Sequence, residues 1–415
     1  MKRLTATLAL WAGITACAQA AEPITLGLNY PRTGPYKEEG LAQMRGALLA
    51  IDELNAKGGV LGRPVRLESR DTASRPEKAV KNVNSLADQG AAMLFGGASS
   101  AVAIAAGQQA RERGLLYFGT LTYSNDTTGK DGQRYLFREC NNAWMSARAL
   151  GQYLSKTQPD SRYFYVTADY TWGLTTESSL RQTTGSTDTA QHPGVKVPFP
   201  RARQRDFQEA LQQAAQSQAQ VLVLVLFGED LVDAMRIADS LGLTGKLQIV
   251  APNLTQAMVE QAGPLLMQGV IGTEPWTWRV PEREDSAAGQ AFVEQFSQRF
   301  GVYPSSSAAS AYSIVSQWAD AAKRANSLDS EALIKALEGH RYRLLKGEQQ
   351  WRAFDHQNVQ SVYVVKVKPR NEVMKDRLKQ DYFDIVHQLD GEQAAPSLAE
   401  WQAERRAAGK PTTLQ

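Results

Sequence analysis

The chain has 415 residues, 43% of them hydrophobic and 21% charged, with 46 Lys+Arg against 43 Asp+Glu and a formal net charge of +3. At roughly 100–200 residues per domain, that length predicts two or three domains with ample core. A near-neutral balance without a basic cluster gives no electrostatic reason to bind nucleic acid or anionic lipid, and ordinary apolar content with mixed charge signs excludes a disordered chain.

Residues 1–20 read as a secretory signal. Lys2-Arg3 form a charged start, Leu4–Ile14 is apolar but too short to span a bilayer, and Ala18-Gln19-Ala20 places small residues before a cut at Ala21. The run Ile14-Thr15-Ala16-Cys17 resembles a bacterial lipobox, so a lipid tether at Cys17 is the alternative. The few residues between Cys17 and the first strand favour simple cleavage. Cys140 is then the one cysteine left, which excludes an intrachain disulfide, and a buried spacer beside Phe137 is expected rather than a reactive thiol.

From residue 24 short apolar runs alternate with helical patterns. Ile24–Asn29 is a strand, and Thr33-Gly34-Pro35-Tyr36 a turn. A helix from about Glu38 to Lys57 carries Leu41, Met44, Leu48, Ile51 and Leu54 at spacings of three and four and ends at Gly58-Gly59. Val65–Ser69 is a strand, and the next helix opens at Arg75-Pro76-Glu77 to bury Val80, Val83 and Leu86. Ala92–Phe95 and Leu115–Phe118 read as strands buried on both faces of a parallel sheet, with a helix over Ser100–Arg113 between them. Strands at Tyr163–Thr167, Val221–Phe227 and Gln248–Ala251 follow, with helices near Asn142–Ser155, Asp206–Ser217 and Asp230–Leu241. Helices near Glu284–Phe300, Ser307–Ala325 and Glu331–Glu338 precede strands at Gln349–Arg352 and Ser361–Val367, and the run Lys366–Lys379 reads as a solvated face. Two successive β-α-β-α units imply an α/β fold of two doubly wound, Rossmann-like lobes. Residues 391–415 read as a polar extension.

Several segments resemble the Leu/Ile/Val family of periplasmic solute-binding proteins. They are Ile24-Thr25-Leu26-Gly27, Thr33-Gly34-Pro35, Gly46-Ala47, Asn55–Arg63, Gly96-Gly97-Ala98-Ser99-Ser100-Ala101 and Asp169-Tyr170-Thr171-Trp172-Gly173. The resemblance implies a type I binding-protein fold: lobe 1 from 23–140 plus 274–355, lobe 2 from 141–273 plus 356–390, and three hinge segments. It also implies a small-molecule ligand in the interlobe cleft, delivery to an inner-membrane ABC permease, a periplasmic location and a monomer, with no cofactor, no metal and no catalysis. A sensory protein acting on a receptor is the alternative on the same fold. An exported hydrolase is disfavoured by the missing G-x-S-x-G elbow.

Ser99-Ser100 follow a buried strand and open a helix, where free N–H groups and the helix dipole suit a carboxylate, although a serine there also caps its own helix. Thr122 and Tyr123 lie at the same carboxyl edge, with Tyr123 where the family has a threonine. Trp172 and Phe227 stand in place of tyrosines that pack over ligand, although Trp172 also suits packing between lobes and Phe227 a core, and Tyr36 is placed to close the mouth. Asn253 occupies about the place of the family's ammonium-binding glutamate. Either Glu229, Asp230 or Glu274 replaces that acid, or the ligand lacks an α-ammonium. The crossing Glu274-Pro275-Trp276-Thr277-Trp278 is open to two readings, pocket wall or hinge packing. His356 beside Asp355 reads as a solvated turn.

Overall fold

The computed structural model describes residues 21–200 and 202–415; the secretory-signal and Cys17 readings lie outside the described residues. The first lobe is a parallel five-stranded sheet of β1 (Ile24–Tyr30), β2 (Val65–Asp71), β3 (Ala91–Gly96), β4 (Tyr117–Gly119) and β5 (Leu136–Arg138), in the order β2-β1-β3-β4-β5. Its crossover helices are α1 (Lys37–Ala56), α2 (Pro76–Asp88) and α3 (Ser100–Glu112). Every residue of β1 is buried, as a central parallel strand covered on both faces requires.

Helix α1 departs from its expected stripe. Leu41 is exposed, whereas Gln43, Gly46, Ala47 and Ala50 are buried. The reason is close helix–helix contact: a Cβ on Gly46 would stand 2.1 Å from the Ala308 carbonyl oxygen of the helix Ser306–Ala325. Small residues are therefore needed at that contact, and the larger apolar side chains lie to either side of it.

The second lobe begins with α4 (Ala143–Thr157), then β6 (Tyr163–Ala168), α5 (Thr171–Thr184), β7 (Gly194–Val197), α6 (Gln204–Gln216), β8 (Val221–Val225), α7 (Glu229–Ser240), β9 (Gln248–Asn253), α8 (Gln256–Ala262) and β10 (Ile271–Glu274). A small antiparallel sheet, β11 (Arg341–Tyr342), β12 (Gln349–Trp351) and β13 (Asn358–Val359), follows the return to lobe 1. The strands β14 (Val362–Val367) and β15 (Phe383–Leu389) then add antiparallel to the second sheet, whose order is β15-β14-β10-β9-β8-β6-β7.

The hinge segments are knit together by buried polar groups. The Lys346 ammonium donates to the Pro275 carbonyl (2.6 Å) and to the Gln360 amide oxygen, and the Gln360 amide donates to the Glu139 carbonyl. Gln357 donates to the Cys140 carbonyl at 2.7 Å. Trp276 packs on Phe292 and bonds the Leu345 carbonyl, and Trp278 stacks on Tyr303 at 3.9 Å, so this structure uses the aromatic crossing as packing.

Two readings of the sequence are corrected. His356 is fully buried, stacked on Phe137 at 3.8 Å and bonded to Glu338, so it is core rather than a solvated turn. Residues 391–415 do not trail away from the domains. The helix Leu398–Ala407 crosses back onto lobe 1, burying Trp401, whose indole N–H donates to the Thr128 carbonyl at 2.8 Å. Arg405 donates to the carbonyls of Gly129 and Gly132.

Candidate functional site

The carboxyl edges of both sheets face one seam, and the lobes are closed along it. Tyr36 and Tyr170 share a hydrogen bond between their hydroxyls at 3.0 Å, Lys37 pairs with Glu229 at 2.8 Å, and Ser124 meets Thr171 at 2.8 Å. Thr255, on lobe 2, donates to the Glu39 carboxylate at 2.5 Å, and the Ser307 hydroxyl donates to the other oxygen of the same group. Gly228 also lies tight against the seam: a Cβ there would lie 2.5 Å from the Pro35 carbonyl oxygen across it.

Aromatic rings from both lobes meet at this seam. Phe227 lies 5.2 Å from Tyr36, 6.1 Å from Tyr123 and 5.9 Å from Trp172, each edge-on, and Phe199 stacks on Tyr170 at 4.0 Å and on Tyr36 at 5.7 Å. All four predicted aromatics are thus brought together. Tyr170 and Phe199 complete the cluster; Tyr170 lies inside the motif that singled out Trp172, whereas Phe199 sits in a Pro-flanked turn with no periodic signal.

The polar side chains divide into those already engaged by the protein and those left free. Ser100 accepts the Ser124 N–H at 3.0 Å. Thr122 turns its methyl toward Gly97, and its carbonyl accepts from the fully buried Arg138 at 3.1 Å. Arg138 also donates to Gln357 (2.7 Å) and Thr128 (2.6 Å), fixing the 122–128 loop to the hinge, and burial pulls its pKa down to about 10. Asn253, with no exposed surface, accepts from the Trp172 indole N–H at 3.1 Å and donates to Ser146 at 3.2 Å and Thr273 at 3.5 Å. Its amide is consumed in holding Trp172.

Among the described residues, Ser99 Oγ, Thr122 Oγ1, Tyr123 OH and Glu274 Oε2 are buried without a hydrogen-bond partner. Burial pushes the Glu274 carboxyl well above the ordinary carboxylate range, and the nearby Glu39 carboxylate adds to this. The Tyr123 hydroxyl is raised by burial and then by Glu274, so these two groups feel one another. Two acids share this end of the seam, and although the Lys346 ammonium offsets Glu274 in part, the pair makes it fit for a positive group. Of the other candidate acids, Glu229 is engaged with Lys37 at the surface, and Asp230 is half-buried, raised by burial to about 7. Glu39, not anticipated from the sequence, carries no motif; it was hidden on the polar side of α1. Cys140 is buried, accepts the Thr122 N–H at 3.2 Å, and burial pushes its thiol up to about 12.

No group of three or more His, Cys, Asp or Glu side chains among the described residues is arranged to hold a metal ion, and no described helix is long and apolar enough to cross a membrane.

The family profile described as Periplasmic binding protein matches residues 23–372. Among known relatives, the Leu/Ile/Val-binding protein BraC3 of Rhizobium johnstonii is 34% identical over 40% of this chain and 44% of its own length. Leu/Ile/Val-binding protein homolog 1 of Brucella abortus is 26% identical over 81% of this chain and 88% of its own. A crystal structure of a periplasmic binding protein from Burkholderia mallei superposes with a TM-score of 0.82 at 24% identity, covering 92% of this chain and 98% of the other. With two closed α/β lobes and a family match over most of its length, the chain belongs to the periplasmic binding protein family, on the side that holds the Leu/Ile/Val-binding proteins.

Proposed function

We propose that the chain captures a small amino acid, or a related amide or carboxylate, in the seam between its lobes and delivers it, as a monomer in the periplasm, to an inner-membrane ABC permease. The observation that carries this reading is the set of buried, unpartnered polar atoms, Ser99 Oγ, Tyr123 OH and Glu274 Oε2, beside a roof of aromatic rings from both lobes. Unpaired buried polar groups are costly, and a ligand that supplies their partners removes the cost. Ser99, at the start of α3, suits the negative end of such a ligand, and Glu274 with Glu39 suits the positive end, so Glu274 replaces the acid missing at Asn253. Tyr36, Tyr123, Trp172 and Phe227 exclude water from the middle, while Ser100, Thr122 and Asn253 hold the contact residues in place. Hinge closure selects the liganded form, and no chemistry is performed.

Isothermal titration with leucine, isoleucine, valine and phenylalanine tests the assignment. Glu274→Gln is expected to weaken an ammonium-bearing ligand by about tenfold or more, as loss of a charge-assisted bond does. Unchanged affinity in Glu274→Gln and Ser99→Ala together would remove both ends of the proposed site.

A further inference from the structure

A cavity of about 780 Å³ lies on the flank of the seam and shares no lining residue with the aromatic cluster. It is enclosed by the loop 125–130 of lobe 1, the start of α4 and one face of α5 in lobe 2, and the C-terminal helix Leu398–Ala407. The loop and α5 are joined across the seam: Ser124 meets Thr171 at 2.8 Å, and the Asn125 amide donates to the Ser179 hydroxyl at 3.0 Å. The cavity therefore has all its walls only while the lobes are closed.

Its polar groups divide by side. On the lobe-2 side Asn142 is 4% exposed; its Oδ1 caps α4 by accepting the Met145 N–H at 2.8 Å, and its amide N–H groups have no hydrogen-bond partner among the described residues. On the lobe-1 side Glu404 reaches over the loop, where a Cβ on Gly129 would lie 2.8 Å from its carboxylate. Lost hydration and then the neighbouring Asp126 carboxylate raise the Glu404 pKa, and this acid has no ion-pair partner among the described residues. The other acids of the lining are committed: Asp355 to the Arg352 guanidinium and Glu400 to the Ser397 N–H of its own helix cap. Lys130, the single cation on the lining, is taken up by Asp126 at 2.9 Å. Leu174, 38% exposed on an otherwise hydroxyl-bearing face of α5, and the Trp144 ring supply apolar surface.

We propose that this cavity is a second ligand site, for an organic amine that carries a hydroxyl or carbonyl oxygen: its ammonium pairs with Glu404 beside Asp126, its oxygen accepts from the Asn142 amide, and its apolar body lies against Leu174 and Trp144. A buried donor without a partner and a carboxylate without a cation both gain from such a ligand. The amine touches both lobes and so favours the closed form; amine and cleft solute then raise each other's affinity by the same factor. The site itself does not depend on the cleft reading; its linkage to a cleft solute does.

The test is isothermal titration of the mature chain with tyramine and with its neutral counterpart 4-ethylphenol, in wild type, Glu404→Gln, Asn142→Ser and Glu274→Gln, with folding of each variant checked by circular dichroism. Asn142→Ser removes the amide and keeps a helix-capping oxygen. Tyramine is expected to bind wild type saturably and 4-ethylphenol about tenfold or more weakly. Glu404→Gln and Asn142→Ser are expected to weaken tyramine several-fold, whereas Glu274→Gln, in the cleft, leaves it unmoved. Tyramine that fails to bind wild type, or binds both cavity variants as it binds wild type, overturns the site. Tyramine weakened by Glu274→Gln while Glu404→Gln is silent sits in the cleft, which overturns the site and supports the cleft reading. A solute that Glu274→Gln weakens should, at saturation, tighten tyramine several-fold; no change would overturn the link to closure, and the absence of any such solute would count against the cleft reading alone.

Discussion

Gly228 offers a perturbation that acts on closure rather than on either lobe. It adopts φ +61° at the start of α7, and a Cβ there would sit 2.5 Å from the Pro35 carbonyl oxygen and 2.7 Å from the Tyr36 ring. Both contacts belong to the opposite lobe, so in Gly228→Ala an open form meets only the backbone strain, about 1–3 kcal/mol for a side chain at φ +61°, ψ −136°. The closed form must also relieve the clash. Ordinary C···O contacts begin near 3.2 Å, so the mouth must part by roughly 0.7 Å. That shift draws apart the Tyr36–Tyr170 hydroxyls, now 3.0 Å apart, and Lys37–Glu229, now at 2.8 Å. Overpacking of this kind costs about 1–3 kcal/mol. If ligand binds only the closed form, affinity falls by roughly 5- to 150-fold, while apo stability falls by no more than the backbone strain. Titration calorimetry with a solute that binds wild type, paired with urea denaturation of the apo protein, separates the two effects. An affinity within twofold of wild type would show that the lobes do not close at Gly228 when ligand binds.

Three other predictions address separate parts of the molecule. Asn253→Leu leaves no large cavity but strands the buried Trp172 indole N–H, so unfolding free energy should fall by about 1–3 kcal/mol in urea titrations; a loss under 0.5 kcal/mol would mean Asn253 does not hold the indole. Glu274 binds its proton more tightly folded than unfolded, so its contribution is full below the ordinary pKa of 4.5 and is lost as pH rises through the folded value. Glu274→Gln should therefore gain stability relative to wild type as pH climbs from 4.5 toward 8; parallel stability–pH curves would contradict the burial of this acid. Trp401→Ala removes an indole that is 2% exposed, at a cost of about 3–5 kcal/mol to the C-terminal strap. Amide exchange over 125–132 and 398–407 should accelerate, and unchanged protection there would refute the docking.

Much of lobe 1 was legible because its elements announce themselves locally. Pro76 after Arg75, the glycine pair at 58–59 and the unalternating run at 91–96 each fix an element to within a residue or two. Helix α5 escaped because Thr171–Thr184 is threonine-rich and has no apolar stripe; its signals are the Gly185 left-handed cap and packing of small groups against α4. The three-residue strand β5 ends in Arg138, a residue that reads as surface until its carbonyl partners are seen. The C-terminal strap is mostly polar and docks chiefly through Trp401 and Arg405, with the Arg134 N–H on the Gln415 carbonyl and Arg352 on the Pro396 carbonyl, which composition cannot reveal. At the site, residue types at the sheet edge were readable, but their allegiances were not. Ser99 and Ser100 are adjacent and identical in sequence, yet one accepts a backbone N–H and the other is left free. Asn253 was readable as a departure from a glutamate, whereas its bond to Trp172 spans 81 residues.

The most direct test of solute capture is the thermal midpoint of the mature chain against a panel of amino acids, amides, urea and aromatic carboxylates, repeated with Trp172→Ala. Ligand at about a thousand times its dissociation constant stabilises the native state by about 4 kcal/mol, which raises the midpoint by several degrees. The account predicts such a rise with at least one carboxylate-bearing solute, reduced or lost in Trp172→Ala. A rise confined to uncharged solutes, or one that Trp172→Ala leaves intact, would contradict it.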